Sequence, residues 1–306
     1  MTYQMGIELE IGAITLNDVR EAIEDAGGKL HNTSRVYPYH QARRMGMTDE
    51  DMDSKLSEVP VWRVEADSSI YTPGLAGCYG DMNNENMGVG EVISPILYGK
   101  KGIFHIRKVV AALVSRGAKM TKKMGAHITY GVNNNARFAR FSNDKKGHIK
   151  NRMKVVYMHF APVFDALSPN TRQMIARDGC DRNYYCALPN DGKMSAIRIN
   201  SFINYGIVEF RQPGHTLDIH NLTGWLKLTN GLVSACMNDN KMTKDGRKAM
   251  KVNLATEPKT LEALLNLTNP GSITEDWAAG RIVRLANRYR QNRINRLEVL
   301  QTQEMA

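Results

Sequence analysis

Apolar and polar residues alternate strictly along GIELEIG, residues 6–12. On an extended strand successive side chains face opposite ways, so Ile7, Leu9 and Ile11 point to one side and Gly6, Glu8 and Glu10 to the other. The same period of two predicts strands over 4–13, 61–67, 88–95, 125–132, 196–200 and 206–212. Between them the period lengthens. Asn17 reads as an N-cap for a helix stopped by the pair Gly27 and Gly28, and 100–116 is amphipathic through Ile103, Ile106, Val110 and Leu113. Segments 153–167 and 217–237 read as buried helices. Residues 260–267 read as a short helix, and Thr274 as the cap of a final one.

Residues 32–60 and 133–147 fit neither period and are predicted as an inserted loop or flap and a second loop. Short alternating strands among longer helices predict an α+β protein, with one mainly antiparallel sheet and helices on its outer face. From about residue 241 the strand pattern is lost, which predicts a helical, basic C-terminal extension.

Composition changes this picture little. The 306 residues, 42% hydrophobic and 24% charged, suit one large or two ordinary soluble domains. The longest apolar run, 109–114, is too short to span a bilayer, and no leader precedes the first strand, so a cytoplasmic protein is expected. Cys78, Cys180, Cys186 and Cys236 form no C-x-x-C pair and are expected to be free thiols.

Charge matters more. Lys and Arg number 41 against 31 Asp and Glu, a net +10 that favours anionic partners. The excess gathers at 145–154 and 281–296, as solvated faces or as surfaces for nucleic acid.

The candidate chemistry lies on the polar faces of the strands. Glu8 and Glu10 share a face, as do Glu65 and Asp67, and Glu209 and Arg211; Glu91 and His127 are the ionisable residues of otherwise apolar runs. Taken singly, each has a plain explanation: an exposed glutamate, a structural histidine, a Glu209–Arg211 pair. Five strands repeating the pattern suggest a charged cleft, because buried charges require partners or metals.

Carboxylates with an arginine suit Mg²⁺-assisted phosphoryl transfer from ATP. A P-loop and the kinase HRD and DFG triplets are missing from the sequence. Two other readings use the same residues or the basic surface: a two-metal phosphodiesterase or nuclease, and a non-catalytic nucleic-acid-binding protein.

The phrases GIELE, VEADSS, GEVISPIL, GAHITYGV and VEFRQPGHTLD, in that order over residues 4–240, resemble the amidoligase family. That family belongs with the carboxylate–amine ligases of the glutamine synthetase and glutamate–cysteine ligase fold. The resemblance implies a curved sheet forming a funnel-shaped active site that holds ATP and Mg²⁺ or Mn²⁺. It implies phosphorylation of a substrate carboxylate to an acyl phosphate, which an amine then displaces to give an amide or isopeptide bond.

Carried over by position, Glu8, Glu10, Glu65, Asp67, Glu91 and Glu209 would be metal ligands. His127 would contact metal or nucleotide phosphates. Arg211 would stabilise the transferring phosphoryl group, and Arg198 and Arg182 would bind phosphate or a substrate carboxylate. Residues 1–240 would form the catalytic domain and 241–306 a basic extension packed on it. The substrates would be a small-molecule or peptide carboxylate and an amine. The C-terminal helix could dock a polymer- or nucleic-acid-borne substrate, and a homo-oligomer stays open.

Overall fold

The computed structural model describes residues 3–30, 61–65, 90–121, 124–132, 136–169, 172, 195–238, 258–269, 276–285 and 287. Its centre is β1 (Gln4–Glu10), whose alternation is realised: Met5, Ile7 and Leu9 are buried while Gly6 and Glu8 are half-buried on the other face. Among the described residues β1 sits within an open sheet of eight strands ordered β2-β3-β4-β1-β6-β8-β7, with β5 also paired to β1. The partners are β2 (Lys29–Leu30), β3 (Val61–Glu65), β4 (Glu91–Ile93), β5 (Leu97–Tyr98), β6 (Ala126–Gly131), β7 (Ile197–Arg198) and β8 (Ile207–Gly214). Among these strands β2 and β3 pair in parallel; the other pairings are antiparallel, as the alternation predicts.

β4 and β5 are two pieces of one partner of β1. Glu10 faces Glu91 and Glu8 faces Ile93, whereas Met5 faces Leu97. The predicted strand 88–95 is therefore interrupted in its described part, and Pro95, which lacks an N–H, is the reason. Ser94 spans the gap: its N–H donates to Ile7 O at 2.9 Å, and its Oγ accepts from Ile7 N at 2.8 Å.

The helices cover the apolar face. They are α1 (Leu16–Asp25), α2 (Gly99–Ser115), α3 (Ala136–Ala139), α4 (Asn143–His159), α5 (Ala161–Leu167), α6 (Phe202–Tyr205), α7 (Ile219–Asn238) and α8 (Leu261–Thr268). Aromatic rings join sheet to helices: Tyr157 of α4 lies 5.8 Å from Phe210 of β8 and stacks on Phe164 of α5 at 4.2 Å. Leu9, Val110, Ile128, Phe164 and Trp225 are buried in one continuous core.

Several boundaries depart from expectation. The cap of α1 is Thr15, not Asn17, because Thr15 and Asp18 form a reciprocal capping box. The helix predicted over 153–167 is two helices. Pro162, which cannot bond within a helix interior, sits in the first turn of α5 after Phe160 ends α4. Part of the predicted loop 133–147 is helical: it contains α3, and Ser142 caps α4 through Lys145 N. The strand expected over 196–200 contracts to Ile197 and Arg198.

α8 and a helical stretch over 276–285 extend the fold beyond α7. Trp277 Nε1 donates to Asn221 Oδ1 on α7 at 3.0 Å. Arg281, the first residue of the expected basic surface, is instead buried and donates to Leu167 O at 2.5 Å. None of the described helices is long and apolar enough to cross a membrane. Cys236 is a buried free thiol, in line with expectation; Cys78, Cys180 and Cys186, the segment 32–60 and Thr274 lie outside the described residues.

Candidate active site

Strand register assembles the site. Glu8 of β1 lies directly opposite His127 of β6, and Glu10 opposite Glu91 of β4. On β8, Glu209 faces Thr129 of β6 on one side and Arg198 of β7 on the other. On β3, Glu65 is paired with Glu91, and Arg63 with Ile93, which is itself the partner of Glu8. Glu8, Glu10, Glu91, His127 and Glu209, predicted on four separate strands, thus fall on one face of one sheet, with Glu65 in backbone register beside Glu91.

A bulge sharpens the arrangement. Between Ala126 and Ile128 the β6–β8 register shifts, so that His127 is matched by the longer stretch Arg211–Gln212–Pro213. Pro213 offers no donor to a regular ladder, and bulges of this kind re-aim side chains beside sites. His127 is buried, and its two ring nitrogens face different acids. Nδ1 lies 3.3 Å from Glu8 Oε2 and 3.7 Å from Glu209 Oε1, while Nε2 lies 3.6 Å from Glu10 Oε1.

Arginines balance these carboxylates. Arg211 Nη1 donates to Glu209 Oε1 at 2.6 Å and Arg198 Nη1 to Glu209 Oε2 at 3.2 Å. The plain pairing of Glu209 with Arg211 therefore exists, but inside the cluster. Arg172 Nη2 lies 3.7 Å from Glu10 Oε2. Burial pushes the Glu8 carboxyl above its ordinary value although 33% of its side chain meets solvent; Arg211, a hydrogen bond with Glu91, Arg198 and Arg63 pull the other way.

Two groups of donors can hold a cation. Glu8, His127 and Glu209 bring their ligand atoms within 4.8 Å of one another, and so do Glu10, Glu91 and His127. A neutral imidazole has one lone pair and one N–H, so His127 can ligate in one group while donating in the other. Carboxylates with one imidazole fit Mn²⁺ as well as Mg²⁺.

A family model described as "Putative amidoligase enzyme" matches residues 1–233. The chain belongs to that family. The match covers every strand of the sheet and ends inside α7. The amidoligase assignment agrees with the phrases that carry Glu8, Glu10, Glu91, His127, Glu209 and Arg211, and it makes the chain a member of a ligase family. No match is found among curated proteins.

Of the residues singled out in the sequence, Glu8, Glu10, Glu91, His127, Arg198, Glu209 and Arg211 lie together, and Glu65 is in register with them. Asp67 and Arg182 lie outside the described residues. Two members escaped the sequence reading. Arg63 could have been found, since it precedes Glu65 by two and must share its face. Arg172 could not: it lies off the strands, just beyond Pro169.

Proposed function

We propose that this amidoligase joins a carboxylate to an amine at the expense of ATP, through an acyl phosphate. The observation that carries the reading is the convergence of Glu8, Glu10, Glu91, Glu209 and His127 with Arg198 and Arg211 on one sheet face. Acidic residues alone would repel a nucleotide. Acids arranged as donors for cations, with arginines among them, suit a metal-bound polyphosphate.

Glu8 with Glu209, and Glu10 with Glu91, would hold Mg²⁺ or Mn²⁺, with His127 a ligand in one of the two groups and Glu65 and Asp67 as further ligands. The metal would supply charge neutralisation at the phosphate oxygens. The remaining work belongs to the chain. Arg211 presents a planar fork whose N–H groups, now on Glu209, would turn to the phosphoryl oxygens as charge builds there. Arg198 would take a second phosphate oxygen or the substrate carboxylate, and Arg182 is proposed for the same duty. The sheet face would close into the funnel expected of the family, with 1–240 as the catalytic unit. Residues 241–306 would form a basic extension that docks a larger anionic substrate.

The test is ADP release from ATP, with Mg²⁺ or Mn²⁺, across pairs of small or peptide acids and amines. ADP formed only when acid and amine are both present supports the proposal. Cleavage of nucleic acid without ATP would replace it with the two-metal hydrolase. Glu209→Gln and Arg211→Lys are each expected to lower turnover by about 10²–10³-fold, as loss of one charge-stabilising group does, with thermal unfolding still cooperative. Parental turnover in either variant would refute the assignment.

A further inference from the structure

We propose that Arg172 is a positioning residue that holds Glu10 in the orientation needed to bind a cation, and that the glycine at 125 leaves the room it needs to do so. The inference rests on the metal-dependent reading above and adds a part that no motif contains.

Arg172 is 1% exposed, one of the largest fully buried side chains among the described residues. A buried guanidinium demands compensation, and its backbone is held from the core side. Its N–H donates to Pro169 O at 2.8 Å, and its carbonyl accepts from Gln212 Nε2 at 3.1 Å. Gln212 is fixed in turn: Nε2 also donates to Asp165 Oδ1 at 2.9 Å, and Oε1 accepts from Tyr157 Oη. Through Tyr157 of α4 and Asp165 of α5, Gln212 is held on the helix side of the sheet. The anchor thus lies on the helix side, while the guanidinium reaches Glu10 on the site side.

To connect the two, the side chain passes the ends of β6 and β8, and there the chain carries glycine twice. Gly214 has a φ of +76° that favours glycine by itself, and a Cβ there would lie 2.5 Å from Pro169 Cγ and 3.4 Å from Arg172 Cγ. A Cβ on Gly125 would lie 2.6 Å from Arg172 Nη2 and 2.9 Å from Cζ. Any other residue at 125 would push the guanidinium off Glu10. Gly125 also accepts from Glu10 N at 3.0 Å, so backbone and carboxylate of Glu10 are located from the same place.

Arg172 faces Oε2 of Glu10, whereas Oε1 faces His127 Nε2. At 3.7 Å the guanidinium is an ion-pair neighbour of Oε2 and not a hydrogen-bond donor to it, while Oε1 is presented to the donor group of Glu91 and His127. Arg172 therefore acts on the site through Glu10.

The experiment is titration of the full chain with Mn²⁺ alone, followed calorimetrically and by the electron paramagnetic resonance signal of free Mn²⁺. Arg172→Met is expected to weaken Mn²⁺ binding by about 10–100-fold, the usual cost of losing an orienting partner. Arg172→Lys should recover part of it. Gly125→Ala, which keeps the charge but displaces the guanidinium, should weaken binding in the same direction and serves if Arg172→Met does not fold.

The decisive arm is the double variant. In a Glu10→Gln background, Arg172→Met should change the Mn²⁺ dissociation constant by less than about twofold, because the two residues act as one unit. Full additivity, or parental Mn²⁺ affinity in both Arg172→Met and Gly125→Ala, overturns the positioning role while the metal site stands. Failure of the parent chain to take up Mn²⁺ overturns the metal reading first and this inference with it.

Discussion

Ser94 does with a side chain what the backbone around Pro95 cannot. Its hydroxyl accepts from Ile7 N and donates to Pro95 O at 3.0 Å, so the strand carrying Glu8 keeps its pairing where its neighbour breaks. Removing the hydroxyl would leave the buried Ile7 N–H without this acceptor, which costs about 1–3 kcal/mol. Ser94→Ala is expected to lower stability by that amount in denaturant unfolding, with the midpoint moving and the slope unchanged. The site residues were legible at this scale when strand alternation alone decided their face, as for Glu8, Glu91, His127, Glu209 and Arg211. Arg172 was illegible because its place depends on a turn, on Gln212, and on the emptiness of Gly125 and Gly214. Those are relations among distant residues, and no local period records them.

Whole elements were read correctly where periodicity was strong and misread where a single residue overrode it. The run around 153–167 looks continuous in hydrophobicity, but Pro162 divides it into α4 and α5. The polar start of α4 hid a helix whose cap, Ser142, was the available signal. How elements hold one another also yields a pH effect. Trp62 Nε1 of β3 donates to His105 Nε2 of α2 at 2.9 Å, which requires that nitrogen to be unprotonated. Burial lowers the His105 pKa from its ordinary 6.5; Lys108 acts the same way, and a hydrogen bond with the Ala26 backbone opposes. A folded state that prefers neutral histidine gains stability above the unfolded value and loses it as the pH falls below 6.5 through the lowered value. The melting temperature should therefore drop on acidification across that window. His105→Gln should flatten the drop, and an unchanged profile in the variant would count against the β3–α2 link as its source.

Across the whole molecule, the family match stops within α7, yet α7 is also the seat of the C-terminal helices. Gly224 lies under the Trp277 ring, and Gly231 lies so close to α8 that a Cβ there would come 2.3 Å from Thr268 O. Helix propensity argues for alanine at an interior helix position, by about 1 kcal/mol over glycine. Packing argues against it, because the obstructing atom is backbone and overpacking of this kind costs about 1–3 kcal/mol. The short distance decides the sign. Gly231→Ala is expected to destabilise the chain on heating and to expose the region beyond 241 to limited proteolysis. Mn²⁺ uptake at the sheet should persist, since α8 supplies no residue to the described site. If Gly231→Ala instead raised the melting temperature, the glycine would be a propensity defect rather than a docking notch.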